Sequence, residues 1–247
     1  ILLGLALLGA SGAMAQEPAD PMAARLSAER VGDVAAGDYS AADDLNFTIL
    51  PYGDRYLLRF DNSPENFVLT SDRVALGGRE LKYDTGTLAL KISVWGGVTL
   101  YTREAPSGLP AMRTGDPTPL PRFTVSAANL QSALVDEESH LAYVQKLKLK
   151  FQVDAAILKE SDDARAYAFD ALVNSATGME QVVATPAGRA AFTRRFDAVR
   201  IVEGEKPTIA ISGRTLLVSF VPSAGAAGRA SSRAIARGLE KILALPG

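Results

Sequence analysis

Residues 79–102 read RELKYDTGTLALKISVWGGVTLYT, and their alternation constrains the fold more than any other stretch. Leu81 and Tyr83 alternate with Glu80 and Lys82. Leu88, Leu90, Ile92 and Val94 then alternate with Ala89, Lys91 and Ser93, and Val98 and Leu100 resume the pattern. A period of two puts successive side chains on opposite faces of an extended chain, which no helix can reproduce. Asp84-Thr85-Gly86 is a turn signal, and Gly96-Gly97 predicts a tight two-residue hairpin loop with positive φ. Trp95, at the hairpin end, is expected to serve packing. The same alternation runs through Tyr56, Leu58 and Phe60. It returns in Phe67 and Leu69 after a turn at Asp61-Asn62-Ser63-Pro64. The expectation for residues 46–105 is an antiparallel β-meander of about five short strands, one face dry and one wet.

The flanking segments lack that pattern. Residues 16–45 are rich in Ala, Asp, Gly and Pro and predict a poorly ordered lead-in. Five prolines between 106 and 121 predict an extended connector over 106–123, because proline at that density continues neither sheet nor helix. Residues 124–247 read as an α+β unit with helices packed on a small antiparallel sheet, so the whole chain is expected to be α+β. Ser126 can cap a helix carrying Leu130, Leu134, Leu141 and Val144. Residues 146–153 alternate as a strand with lysines outward, although a helical face through Leu147, Phe151, Ala155 and Leu158 also fits. Asp162 or Asp163 opens a firmer helix that Gly178 is expected to interrupt, and Pro186 opens a shorter one. Strands are expected at 199–202, 208–211 and 215–221, the last two joined by a Ser212-Gly213-Arg214 hairpin. Ser231 or Ser232 caps a final helix with Ile235, Leu239 and Ile242 on its dry face.

Composition bounds the chemistry. The 247 residues contain no cysteine, which excludes disulfides, thiolate zinc, Fe–S clusters and a cysteine nucleophile. A net charge of −2 gives no wholesale attraction to nucleic acid. The apolar run Ile1-Leu2-Leu3-Gly4-Leu5-Ala6-Leu7-Leu8, followed by Ala13-Met14-Ala15, has the form of a signal peptide over residues 1–15. It falls short of the ~20 residues that a spanning helix needs. The expectation is therefore a soluble periplasmic or secreted protein, cleaved near Ala15, with no transmembrane segment in the mature chain. No motif calls for a cofactor.

The phrases LLRFD, FVL, LGGRELKYDTG, GGVTLYT and GLPAMRTGD, with AVRIVEG, ISGRTLLVSFVP and GRASSRAI near the C-terminus, resemble an uncharacterised exported alphaproteobacterial family catalogued as a domain of unknown function. The likeness spans roughly residues 45–243. It is one of strand and turn phrases, and it implies an exported soluble protein without bringing any functional residue with it.

Four constellations bear on chemistry. Asp84-Thr85-Gly86 matches the core of the aspartic-peptidase loop, in which two aspartates share a proton. One copy per chain requires a homodimer, and a polar hairpin turn accounts for the same triplet. His140 lies among Asp136, Glu137 and Glu138 and reads as a helix histidine in an acidic cluster, without the second histidine of a zinc helix. The loop from Ser223 to Arg229 leads into a helix start whose free N–H groups can hold an anion, although a flexible connector with an ordinary serine cap is the favoured reading. Arg229, Arg233, Arg237 and Lys241, spaced by four, share one helix face, and residues 186–247 carry 10 basic against 4 acidic side chains. That face can take an anionic envelope component or another envelope protein, and equally it is the wet side of an amphipathic helix. The resulting expectation is a non-enzymatic exported binding protein. The alternative is a homodimeric single-DTG peptidase using Asp84.

Overall fold

A computed structural model describes residues 33–42, 45–120 and 123–245. The stretch expected to be a signal peptide lies outside the described residues. Eight strands run in sequence: β1 (Gly37–Ala41), β2 (Leu45–Tyr52), β3 (Arg55–Phe60), β4 (Asn66–Arg73), β5 (Arg79–Lys82), β6 (Leu88–Ile92), β7 (Val98–Leu100) and β8 (Leu109–Gly115). Each pairs antiparallel with the next, and β8 returns to β1 to close the sheet into a barrel. The open meander expected from the sequence is therefore corrected to a closed eight-stranded barrel. Closure removes both sheet edges, and eight strands leave an interior that side chains alone can fill. Phe47, Ile49, Leu58, Leu69, Leu81, Leu90, Ile92 and Leu100 do so.

Both closing strands lie in segments expected to be irregular. β1, Gly-Asp-Tyr-Ser-Ala, sits in the expected lead-in. It has little intrinsic β preference and is held by two neighbours at once, β2 and β8. β8 sits in the expected proline connector. Its Pro110 pairs with Thr99 of β7, while on the other flank β1 has already ended at Ala41, opposite Ala111. No ladder bond to β1 is asked of the missing N–H, so proline is tolerated there.

Three hairpin loops share one frame. Tyr83 N–H donates to the Thr87 carbonyl at 2.9 Å and Gly86 N–H to the Tyr83 carbonyl at 2.8 Å. Ser93, Gly96 and Gly97 repeat this at 2.8 and 2.9 Å, and Val74, Gly77 and Gly78 repeat it at 3.0 and 3.3 Å. These are three-residue loops, with glycine at φ 78°, 82° and 82° in the last loop position. The two-residue Gly96-Gly97 loop is corrected accordingly, since only Gly96 has positive φ. In the first of these loops along the chain, Leu76 is also left-handed, at φ 66°. A branched side chain held that way costs on the order of 1 kcal/mol.

The C-terminal unit contains α1 (Ala127–Val144), β9 (Lys150–Val153), α2 (Asp162–Val183), α3 (Pro186–Arg195), β10 (Ala198–Glu203), β11 (Thr208–Ser212), β12 (Thr215–Phe220) and α4 (Ser232–Ile242). Its sheet order is β11-β12-β10-β9. The expected antiparallel sheet is corrected to a mixed one: β10 runs parallel to both β9 and β12, and only β11 is antiparallel. Parallel β9 and β10 follow from the crossover through α2 and α3. Of residues 146–153 only the second half is strand. Lys146 is left-handed at φ 56°, and Leu147 N–H turns back to the Leu141 carbonyl, so this stretch terminates α1 instead.

Helix caps follow the sequence closely. Ser126, Ser161, Thr185 and Ser231 each accept a main-chain N–H from the first turn of their helix. Gly178 does not interrupt α2. A Cβ there would stand 2.7 Å from the Ser232 carbonyl and 2.9 Å from Ile235 Cβ, so glycine is what lets α4 cross α2 in close contact.

Candidate functional site: the dock of the last helix on the barrel

The barrel end formed by the β3–β4, β5–β6 and β7–β8 connections receives the N-terminus of α4. Two consecutive serines make the joint. Ser231 N–H and hydroxyl donate to the two oxygens of Asp84 at 2.8 and 2.7 Å. Ser232 N–H and hydroxyl donate in the same way to Glu65, at 2.8 and 2.5 Å. Ser231 Oγ also accepts the Ala234 N–H at 3.1 Å, so one hydroxyl caps the helix and binds the barrel. The first amides of a helix have no intrahelical acceptor and carry its positive dipole end. At this helix start the serine cap and the first amides take two barrel carboxyl groups as partners.

Burial differs between the two carboxylates. Glu65 is buried, and burial pushes its carboxyl above the usual range, against the lowering effect of the Ser232 hydrogen bonds and of Arg229. Asp84 remains exposed on its outer side. With both oxygens engaged by Ser231, Asp84 acts as a docking group at the tip of a polar turn. A peptidase aspartate needs those oxygens for a shared proton and the attacking water.

The four basic residues separate. Arg229 precedes α4 and turns inward, its side chain 5% exposed, with Nε 3.3 Å from Asp170 and Nη2 donating to the Asn66 carbonyl. Burial raises the Asp170 carboxyl despite that partner. Arg233 lies over the Tyr83 ring at 4.2 Å and near Phe67 at 5.8 Å. It ends a file of aromatic rings on adjacent strands, Tyr39, Phe47, Phe60, Phe67 and Tyr83, with neighbouring centroids 5.3–6.2 Å apart. Among the described residues the buried Tyr83 hydroxyl has no hydrogen-bond partner, and burial raises its pKa above the ordinary phenol value. Arg237 Nη1 donates to the Thr85 carbonyl at 2.6 Å, and Lys241 is exposed a turn further along.

Beside this dock lies a cleft of about 530 Å³ between α4 and the β5–β6 and β7–β8 connections. Arg103 and Tyr101 line it from the barrel, and Arg233, Arg237 and Glu240 from α4. Glu104, next to Arg103, is held below the usual carboxylate range by its own main-chain N–H and the Thr102 hydroxyl. His140 stands apart on α1, paired with Glu180 at 2.8 Å. Among the described residues no group of three or more His, Cys, Asp or Glu side chains could hold a metal ion.

Glu65, Arg103 and Tyr52 were not singled out by sequence. Glu65 follows a turn, where an acid ordinarily faces water, and nothing local marks it as buried. Tyr52 Oη accepts the Ala226 N–H at 2.9 Å, a contact that only the tertiary fold creates.

The fold and dock together define a two-part protein: a filled antiparallel barrel with a helix-covered mixed sheet pinned to one end. The chain belongs to the family described as Domain of unknown function (DUF4908), whose model matches residues 21–239. No curated protein and no solved structure is detectably similar to it.

Proposed function

We propose that the chain is an exported, non-enzymatic binding protein of the cell envelope, and that the cleft beside the α4 dock takes an anionic group of its partner. One observation carries this reading: guanidinium groups from opposite sides of the junction, Arg103 on the barrel and Arg233 and Arg237 on α4, line one cleft. Convergent arginines suit phosphate and carboxylate groups because each presents a planar fork of donors. Tyr101 adds an aromatic wall. Asp84 and Glu65 are occupied in holding the two parts together, which supports binding over catalysis by these two groups.

Binding of the phosphorylated core oligosaccharide of lipopolysaccharide, a probe without acyl chains, tests the reading by calorimetry. Saturable binding is expected, weakened at least about tenfold in the double variant Arg103→Glu with Arg237→Glu, since two charge-assisted contacts are lost. Equal binding by wild type and variant sinks the cleft assignment. A pepstatin-sensitive cleavage of casein, lost in Asp84→Ala, replaces it with a peptidase.

A further inference from the structure

The opposite end of the barrel carries a feature of a different kind. Leu76 and Trp95 are 92% and 82% exposed. They occupy the same position in two of the three loops that share a hydrogen-bonding frame, 75–77 and 94–96. The third loop, 84–86, has Thr85 at that position and lies at the docked end. The two apolar tips are neighbours, because β5 pairs with β6 and Arg79 stands opposite Ile92. β4 is eight residues long, so about 26 Å of strand separates them from Glu65 and the α4 dock. Val74 and Val94 stand at their bases, partly exposed.

We infer that these two loop tips insert into a lipid surface. Four observations favour a bilayer over a protein partner. The tips are three-residue hairpin loops whose central side chains stand almost fully exposed at the barrel end, a form that a fluid interface accommodates. Their side chains are one tryptophan, the residue most at home at the headgroup level, and one leucine that reaches into the acyl region. Leucine is kept at a left-handed position where glycine would relieve the strain, which marks the side chain itself as what the loop presents. The charges behind the tips complement an anionic surface. Lys82 pairs with both Asp72 and Glu80 at 3.0 and 3.3 Å, which leaves one negative charge there for Arg73 and Lys91 to outweigh, and Arg79 is paired with Asp33. Arg73 and Lys91, both exposed at the same barrel end, form no ion pair among the described residues. This surface is separate from the arginine cleft.

Trp95 is the chain's single tryptophan, so its fluorescence reports the contact directly. Vesicles of phosphatidylcholine with phosphatidylglycerol should shift its emission to the blue, and brominated acyl chains should quench it. Pure phosphatidylcholine should bind more weakly. Leu76→Ser should lower the partition coefficient about tenfold in sedimentation with the same vesicles, and Trp95→Ser likewise, since each removes one large apolar side chain from the interface. Arg103→Glu with Arg237→Glu should leave vesicle binding unchanged, which separates this result from the fate of the cleft. Emission that stays at its aqueous value in saturating anionic vesicles overturns the inference. So does lipid-free self-association abolished by Trp95→Ser, which would assign the tips to a second copy of the chain.

Discussion

Asp84 and Ser231, far apart in sequence, are joined by two hydrogen bonds that use both carboxylate oxygens and both donors of the serine, at 2.8 and 2.7 Å. Ser232 repeats the arrangement on Glu65. The barrel and the C-terminal unit are thus joined where one helix needs anionic partners and one barrel end offers two.

Removing Asp84 should cost stability. Asp84→Ala leaves the Ser231 N–H and hydroxyl without their acceptor, a loss of about 1–2 kcal/mol for charge-assisted bonds at a partly exposed site. Denaturant unfolding measures it. A double-mutant cycle with Ser231→Ala should return a coupling energy well above zero, and additive effects would mean that the contact does not carry the dock.

Gly178→Ala decides the role of that glycine by sign. In an exposed helix interior alanine stabilises by about 0.8–1 kcal/mol over glycine. Here the new Cβ would meet the Ser232 carbonyl at 2.7 Å, so a net loss of about 1–3 kcal/mol is expected. A gain in melting temperature would show that α2 and α4 have room to separate.

The pH dependence of stability should carry the mark of Glu65. Its folded-state pKa is raised by burial, so the native state holds the proton more tightly than the unfolded chain. Above the unfolded value of 4.5, rising pH therefore removes stability until the folded group has ionised. Glu65→Gln should abolish that slope. Asp38 runs the other way. Burial raises it, but the Thr118 N–H and hydroxyl and the Thr48 hydroxyl outweigh that and lower it below 3.8. Its contribution, present above that value, is lost as pH falls through the folded value. Stability of wild type against Glu65→Gln from about pH 4 to 8 reads the first, and wild type against Asp38→Asn below about pH 4 reads the second.

Tyr83 and Arg233 should respond oppositely to truncation. Tyr83→Phe removes a buried hydroxyl that has no partner among the described residues and should raise stability by about 1 kcal/mol. Arg233→Ala uncovers the ring and should lower it by about 1–2 kcal/mol, the range of a partly desolvated cation–π contact plus lost packing. Thermal unfolding of the two variants checks both signs.

The site was only partly legible. Asp84-Thr85-Gly86 was readable as a turn because Gly86 at positive φ is a local requirement, and Ser231 as a cap because the helix start needs an acceptor within three residues. Glu65 was not readable, since its burial depends on a helix more than a hundred and sixty positions away. The four basic residues lie on one helical stripe in sequence. The fold splits them, because Arg229 precedes the helix and meets Asp170 while Lys241 reaches solvent.

By itself the sequence determined what nearest neighbours along the chain can enforce: the alternating strands from β3 to β7, the glycine-ended loops, the serine and threonine caps, the Pro186 helix start, and the exclusion of cysteine chemistry. Only the tertiary structure decided that the strands close on themselves, that β1 and the proline-bearing β8 form the seam, that β9, β10 and β12 run parallel, and which carboxylates meet α4. Caps and turns are short-range hydrogen-bond problems with few solutions. Barrel closure and docking are set by pairings between distant segments, whose gain appears only when both partners are in place.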